Sequence, residues 1–262
     1  MINAEDFTNS YKNYEANDEL RENLIKSIRN FQRDSKRAIS EAHKIKPTDD
    51  QTKSFKKCEN ILSAALKVGN DVIANLLPKN LRLRFEFCFI GAVEEYLEAW
   101  IFIEVKKKLL FSQIDETEHN TTSRERLSYQ TVLNAPEHNL LKPYISLKGY
   151  LGAVSDVTGE LGRYCVTLAM TVQSQPQLSK KTLKTILDLM QDIYDEYQFL
   201  YPSANEDKKI KAIETNVRKV RDLMFQMEIS RPRVDVLGKH GIKNDEDEVA
   251  RSVSPETKKL KI

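Results

Sequence analysis

The chain has 262 residues, 40% hydrophobic and 31% charged, a balance that suits amphipathic helices with broad solvated faces rather than a membrane protein. No run approaches the ~18 consecutive apolar residues that a spanning helix requires, and the polar, acidic start MINAEDFTNSYKNYEAND predicts no signal or transit peptide. The net charge of +2 leaves nucleic acid open, so any basic surface must come from local clustering, and three scattered cysteines predict a reducing compartment without disulfides.

Eight prolines divide the chain into long segments with apolar residues at three- and four-residue spacing. The first predicted helix runs from about Asn17 to Lys46 on a stripe of Leu20, Leu24, Ile25, Ile28 and Phe31. The second follows Pro47, where Thr48 and Gln51 resemble a capping box. The third spans about Leu81 to Phe111 and is apolar almost all round in FEFCFIGAV, which predicts burial on most sides. The polar stretch from Ser112 to Pro143 reads as a long connection with short helical pieces. Further helices are predicted over Ser146 to Thr171, Ser179 to Phe199 with Ser179 as cap, and Ala204 to Ser230. No hairpin turn or period-two alternation signals a strand. The expected architecture is an all-α antiparallel bundle of about six to seven long helices over residues 17–231, between a flexible N-terminus (1–16) and a disordered tail (232–262).

Several chemistries are excluded by their missing motifs. There is no Walker A loop, GxGxxG or GxSxG, so no nucleotide or other small-molecule cofactor is expected. The four histidines lack zinc-ligand spacing and read as surface residues.

Two acidic pairs stand out because of their surroundings. Glu95 and Glu98 share a face of the third helix within GAVEEYLEAW, while Glu94 points about 100° away. Asp156 and Glu160 share a face of the helix containing GYLGAVSDVTGELGRYC. Both pairs sit between apolar flanks, and burying carboxylates costs several kcal/mol each without compensation. Half of the eight glycines (Gly149, Gly152, Gly159 and Gly162) fall in the second stretch, which predicts that a neighbouring helix or a nucleic-acid backbone approaches closely. If the two helices pack together, four carboxylates converge and repel, and a hard divalent cation would suit them. The competing reading is that the acids pair with Arg, Lys or Tyr from other helices.

EEYLEA, YLGAVSDVTGELGRYCV and DSKRAISEAHKI resemble segments of the translin family, in its translin-associated factor X branch, and the likeness extends over about Asn17 to Arg231. The resemblance implies a Mg2+-dependent endoribonuclease subunit, with Mn2+ as an alternative metal, whose catalytic and metal-binding acids are Glu95, Glu98, Asp156 and Glu160. It also implies translin as partner in a closed hetero-octamer and action on small RNA, either silencing passenger strands or tRNA fragments. Single-stranded DNA is a secondary ligand, and the expected location is cytoplasm and nucleus.

Lys36, Arg37 and Arg163 are the candidate nucleic-acid contacts. The runs Lys106–Lys107–Lys108 and Lys208, Lys209, Lys211 read as solvated faces, and Trp100, Phe85, Phe87 and Phe89 as core. A non-catalytic scaffold subunit that stabilises translin is the principal alternative. A helical nucleotide pyrophosphohydrolase is a third, disfavoured by the 58-residue separation of Glu98 and Asp156.

Overall fold

A computed structural model describes residues 4–47, 49–76, 82–111, 128–171, 176–200 and 207–229. Among these are seven α-helices and no strand. They are α1 (Ala4–Lys44), α2 (Gln51–Asp71), α3 (Arg82–Phe111), α4 (Tyr129–Asn134), α5 (Leu147–Thr171), α6 (Pro176–Leu200) and α7 (Asp207–Ile229). A π-helical turn, Val72–Leu76, ends α2, and two 3₁₀ turns, Pro136–His138 and Lys142–Tyr144, follow α4. No described helix is long and apolar enough to cross a membrane.

The helix ends follow local chemistry. Asp50 caps α2 by accepting the Lys53 N–H at 3.1 Å. Thr48, expected in that role, lies outside the described residues. Ser146 caps α5 through the Gly149 N–H at 2.9 Å, and Ser128 caps α4 through the Thr131 N–H. α6 starts at Pro176, where the missing N–H costs nothing, so Ser179 lies inside the helix rather than capping it. α1 begins at Ala4, so residues 4–16, expected as a flexible terminus, are helical; Asp6 to Asn17 are exposed, which leaves no one-sided stripe to read. The expected C-terminal tail lies outside the described residues.

Packing fixes the directions of the helices. Lys57 meets Glu41 at 2.7 Å and Gly69 lies under the Phe31 ring, so α2 runs back along α1. Phe31 stacks on Phe89, Lys36 reaches Glu95, and Lys106 reaches the Ala42 carbonyl, so α1 and α3 run parallel. α3 and α5 also run parallel. Gly152 lies against Glu94 and Tyr164 against Lys106, each pair 58 residues apart in sequence. Antiparallel order therefore holds between chain neighbours joined by short links, and the connection after α3 returns the chain in the same direction. α6 runs back along α5, where Tyr197 donates to the Leu151 carbonyl. α7 is parallel to α5, with Asn216 donating to Thr158 at 3.1 Å.

The centre of the fold is α3. From Phe89 to Leu110 it presents buried side chains on almost every side, including Phe89, Tyr96, Leu97, Phe102 and Ile103. Each large apolar side chain buried there contributes roughly 1.5–3 kcal/mol. Phe87 departs from the core reading and is 76% exposed; the side chain of Phe85 lies outside the described residues. Lys106 departs from the solvated reading. It is fully buried, donates to the Ala42 and Ile45 carbonyls at 2.6 and 2.9 Å, and sits 4.0 Å above the Tyr164 ring. It thereby caps the end of α1 from a neighbouring helix. His138 also departs from the surface reading, being buried between the Tyr96 and Trp100 rings with Nδ1 2.6 Å from the Val132 carbonyl.

Candidate functional site

The parallel register of α3 and α5 decides where the acids go. At the 58-residue offset that pairs Glu94 with Gly152 and Lys106 with Tyr164, Glu98 stands opposite Asp156. The spacing that weighs against a compact site in sequence is thus the one that superposes the two pairs. Glu95, Glu98, Asp156 and Glu160 all line one cleft of about 550 Å³, walled by α1, α3, α5 and α7.

The four acids differ in what holds them. Glu95 is paired with Lys36 of α1 at 3.0 Å. Asp156 receives Lys209 of α7 on both carboxylate oxygens, at 2.7 and 2.8 Å. Glu160 is bonded to His43 Nε2 at 2.6 Å and lies 3.4 Å from Arg163. The His43 hydrogen bond, with help from the Arg163 charge, holds the Glu160 carboxyl below its ordinary range. Glu98 has no ion pair among the described residues. Burial, then the charges of Asp156, Glu95 and Glu160, push its carboxyl up to about 7, against a weaker downward pull from Lys36.

Further polar groups complete the cleft. Ser40, His43, Ser155 and Asn216 line it with the acids. The Ser155 hydroxyl and His43 Nδ1 are buried and have no hydrogen-bond partner among the described residues, so polar atoms remain for whatever enters. Glu94 sits just behind the cleft, 3.7 Å from Lys209 and against Gly152, where a Cβ would overlap its carboxylate. Gly152 is therefore small because Glu94 needs the space. Burial, Asp156 and Glu95 raise the Glu94 carboxyl while Lys209 lowers it.

Six of the seven sequence-predicted site residues meet here: the four acids, Lys36 and Arg163. Arg37 does not; it is exposed and outside the lining. Three contributors were misread or missed. His43, read as a surface residue, is mostly buried against Glu160, and its signal was the spacing of Lys36, Ser40 and His43 on one face of α1. Lys209, read as solvated, bridges α7 to Asp156. Glu94, placed away from the pair, lies against the same seam.

The donor set is oxygen-rich and self-repelling, which suits a hard divalent cation. As the side chains stand, no three His, Cys, Asp or Glu among the described residues converge closely enough to hold a metal. Lys36 and Lys209 neutralise acids from arms that are 62% and 42% exposed, so both can swing aside without disturbing the core.

This fold is shared with solved helical structures. The chain resembles a crystal structure of AfC3PO with a TM-score of 0.55 and 16% identity, covering 86% of this chain and 98% of that one. A structure of AfC3PO with duplex RNA matches at 0.56 and 16%, covering 86% and 97%. Apo-NeC3PO matches at 0.55 and 13%, covering 87% and 98%. No curated protein matches the sequence significantly. The profile of the translin family matches residues 19–231, and the chain belongs to that family.

Proposed function

We propose that this chain is a divalent-metal-dependent endoribonuclease, the catalytic subunit of a translin-type hetero-oligomer. The observation that carries the reading is the convergence of Glu95, Glu98, Asp156 and Glu160 on one cleft between parallel helices, with Glu98 held up at about 7 by burial and by its acidic neighbours. Family membership and the likeness to AfC3PO, which has been solved with duplex RNA, support RNA as the substrate. Small single-stranded or nicked RNA is the proposed substrate, with translin as the co-assembling subunit. Mg2+ is the proposed metal, with Mn2+ a substitute.

Glu98 and Asp156 face each other and would hold the cation, flanked by Glu95 and Glu160. When bound, the metal lowers the pKa of water and neutralises charge on a phosphate. The chain's own groups prepare for it. His43 orients Glu160 and keeps it ionised through their hydrogen bond. Lys36 and Lys209 balance the acids in the resting site and, once released from them, are placed to take phosphate oxygens. Arg163, whose side chain is 68% exposed, reaches the same edge. Proton transfer from the attacking water falls to the cleft's carboxylates.

A second reading has one observation in its favour: lysines already pair with Glu95 and Asp156, as they would in a non-catalytic scaffold. Labelled single-stranded RNA separates the two. The purified protein is expected to cut it internally with Mg2+, to stop in EDTA, and to lose roughly a hundredfold or more in rate in Glu98→Gln. Unchanged cleavage in Glu98→Gln would leave the scaffold reading standing.

A further inference from the structure

Two of the four α5 glycines have a plain local reason: Gly149 follows the Ser146 cap, and Gly152 gives room to Glu94. Gly159 and Gly162 do not. A Cβ on Gly159 would lie 3.6 Å from Asn216 Nδ2, and one on Gly162 would lie 4.0 Å from Val220 Cγ2, both ordinary contacts. Alanine would fit at either position without moving α7. Each glycine nonetheless costs roughly 0.5–1 kcal/mol of helix stability relative to alanine. Helix packing leaves that cost unexplained.

The space these glycines leave open has a shape and a charge. Gly159 and Gly162 floor a groove of about 180 Å³ between α5 and α7, lined also by Arg163, Val166, Asn216, Lys219, Val220 and Leu223. It is continuous with the acidic cleft, because Gly159, Arg163 and Asn216 line both. The cleft carries four carboxylates. The groove carries none, and its charged side chains are Arg163 and Lys219, the latter exposed. One turn along α5 from the acids the lining thus changes from carboxylates to cations, which favours an anion in the groove even though Arg163 lies 3.4 Å from Glu160. The volume admits a phosphodiester with its sugar edge and is too small for a stacked base pair. Val166 and Leu223 offer apolar contact, and Asn216 offers polar groups beside the shared wall.

We infer that the α5–α7 groove is a binding track for the sugar–phosphate backbone of single-stranded RNA, holding the phosphate next to the one in the acidic cleft through Arg163 and Lys219 over a glycine floor. The inference rests on the nuclease reading for the phosphate in the acidic cleft, but the groove's affinity for backbone stands without cleavage. It extends the RNA contacts to α7 and adds Lys219 and Asn216 to them.

The test uses the full chain in the assembly in which it purifies, a labelled single-stranded RNA, and EDTA throughout, so that binding is read without catalysis. Gly162→Ala is expected to fold with an equal or higher melting temperature, since alanine favours the helix, and yet to bind RNA several-fold more weakly. Lys219→Ala is expected to flatten the plot of log affinity against log salt by about 0.7, the share of one phosphate contact on a single strand. Undiminished affinity in Gly162→Ala together with an unchanged salt slope in Lys219→Ala would overturn the track. So would a loss of assembly in Gly162→Ala, which would make the groove a subunit contact. Failure of the nuclease reading would appear separately, as intact RNA with Mg2+ in a wild type that still binds.

Discussion

Two stations on one seam solve the problem of buried charge in opposite ways. At Lys106 the fold supplies fixed partners: the Ala42 and Ile45 carbonyls at the end of α1 accept from the ammonium and the Tyr164 ring lies beneath it. Eight residues earlier on α3, Glu98 is surrounded by other acids and has no ion pair among the described residues. Both groups are pushed toward their neutral forms, Lys106 down to about 7 by burial and Glu98 up to about 7 by burial and its neighbours. The difference lies in what completes them. Lys106 is closed off by protein, whereas Glu98 opens on a cleft where exposed lysines balance Glu95 and Asp156, and His43 and Arg163 balance Glu160. A buried charge satisfied by rigid backbone is structural. A buried charge that protein groups leave unpaired is available to a ligand.

The contrast can be broken at either station. The larger effect is expected at Lys106. Lys106→Met keeps the volume but takes the ammonium away from the Ile45 carbonyl and from the Ala42 carbonyl, which retains the Ile45 N–H at 3.2 Å, and should cost about 2–3 kcal/mol in denaturant unfolding. A near-neutral result would show that these carbonyls find other partners. The effect at Glu98 should be smaller and opposite in sign. Its folded carboxyl stands at about 7 against an ordinary 4.5, so the fold favours the protonated form. The penalty of ionising it is absent below an unfolded pKa near 4.5 and complete above about 7. Metal-free Glu98→Gln should therefore be more stable than wild type by about 1–2 kcal/mol near pH 8. The gain should vanish near pH 4. A gain independent of pH would place its cause in packing rather than charge.

Much of the fold was legible because its signals are local. Prolines and apolar periodicity mark six long helices, and the apolar flanks of GAVEEYLEAW and GYLGAVSDVTGELGRYC announce acids in a buried setting. What stayed hidden depended on distant partners. The 58-residue offset became meaningful only once α3 and α5 were seen to run parallel. His43 gains its role from Glu160, which is 117 residues away. The three consecutive lysines gave no sign in composition of which faces inward. Periodicity did: Lys106 follows Phe102 by one turn and precedes Leu110 by another, so it continues a buried stripe. α1 extends to Ala4 without a one-sided apolar pattern because no other described helix shields that end.

The central claim is that the two acidic pairs form one divalent-cation site. Titration of the metal-free protein with Mn2+, followed by calorimetry or by loss of the free-ion spin resonance signal, tests it without needing RNA. Wild type is expected to bind saturably, more weakly as the pH falls below about 7 and Glu98 protonates. Glu98→Gln and Asp156→Asn are each expected to lose that binding while remaining folded. Equal Mn2+ binding in all three proteins, or none in wild type, would contradict the account.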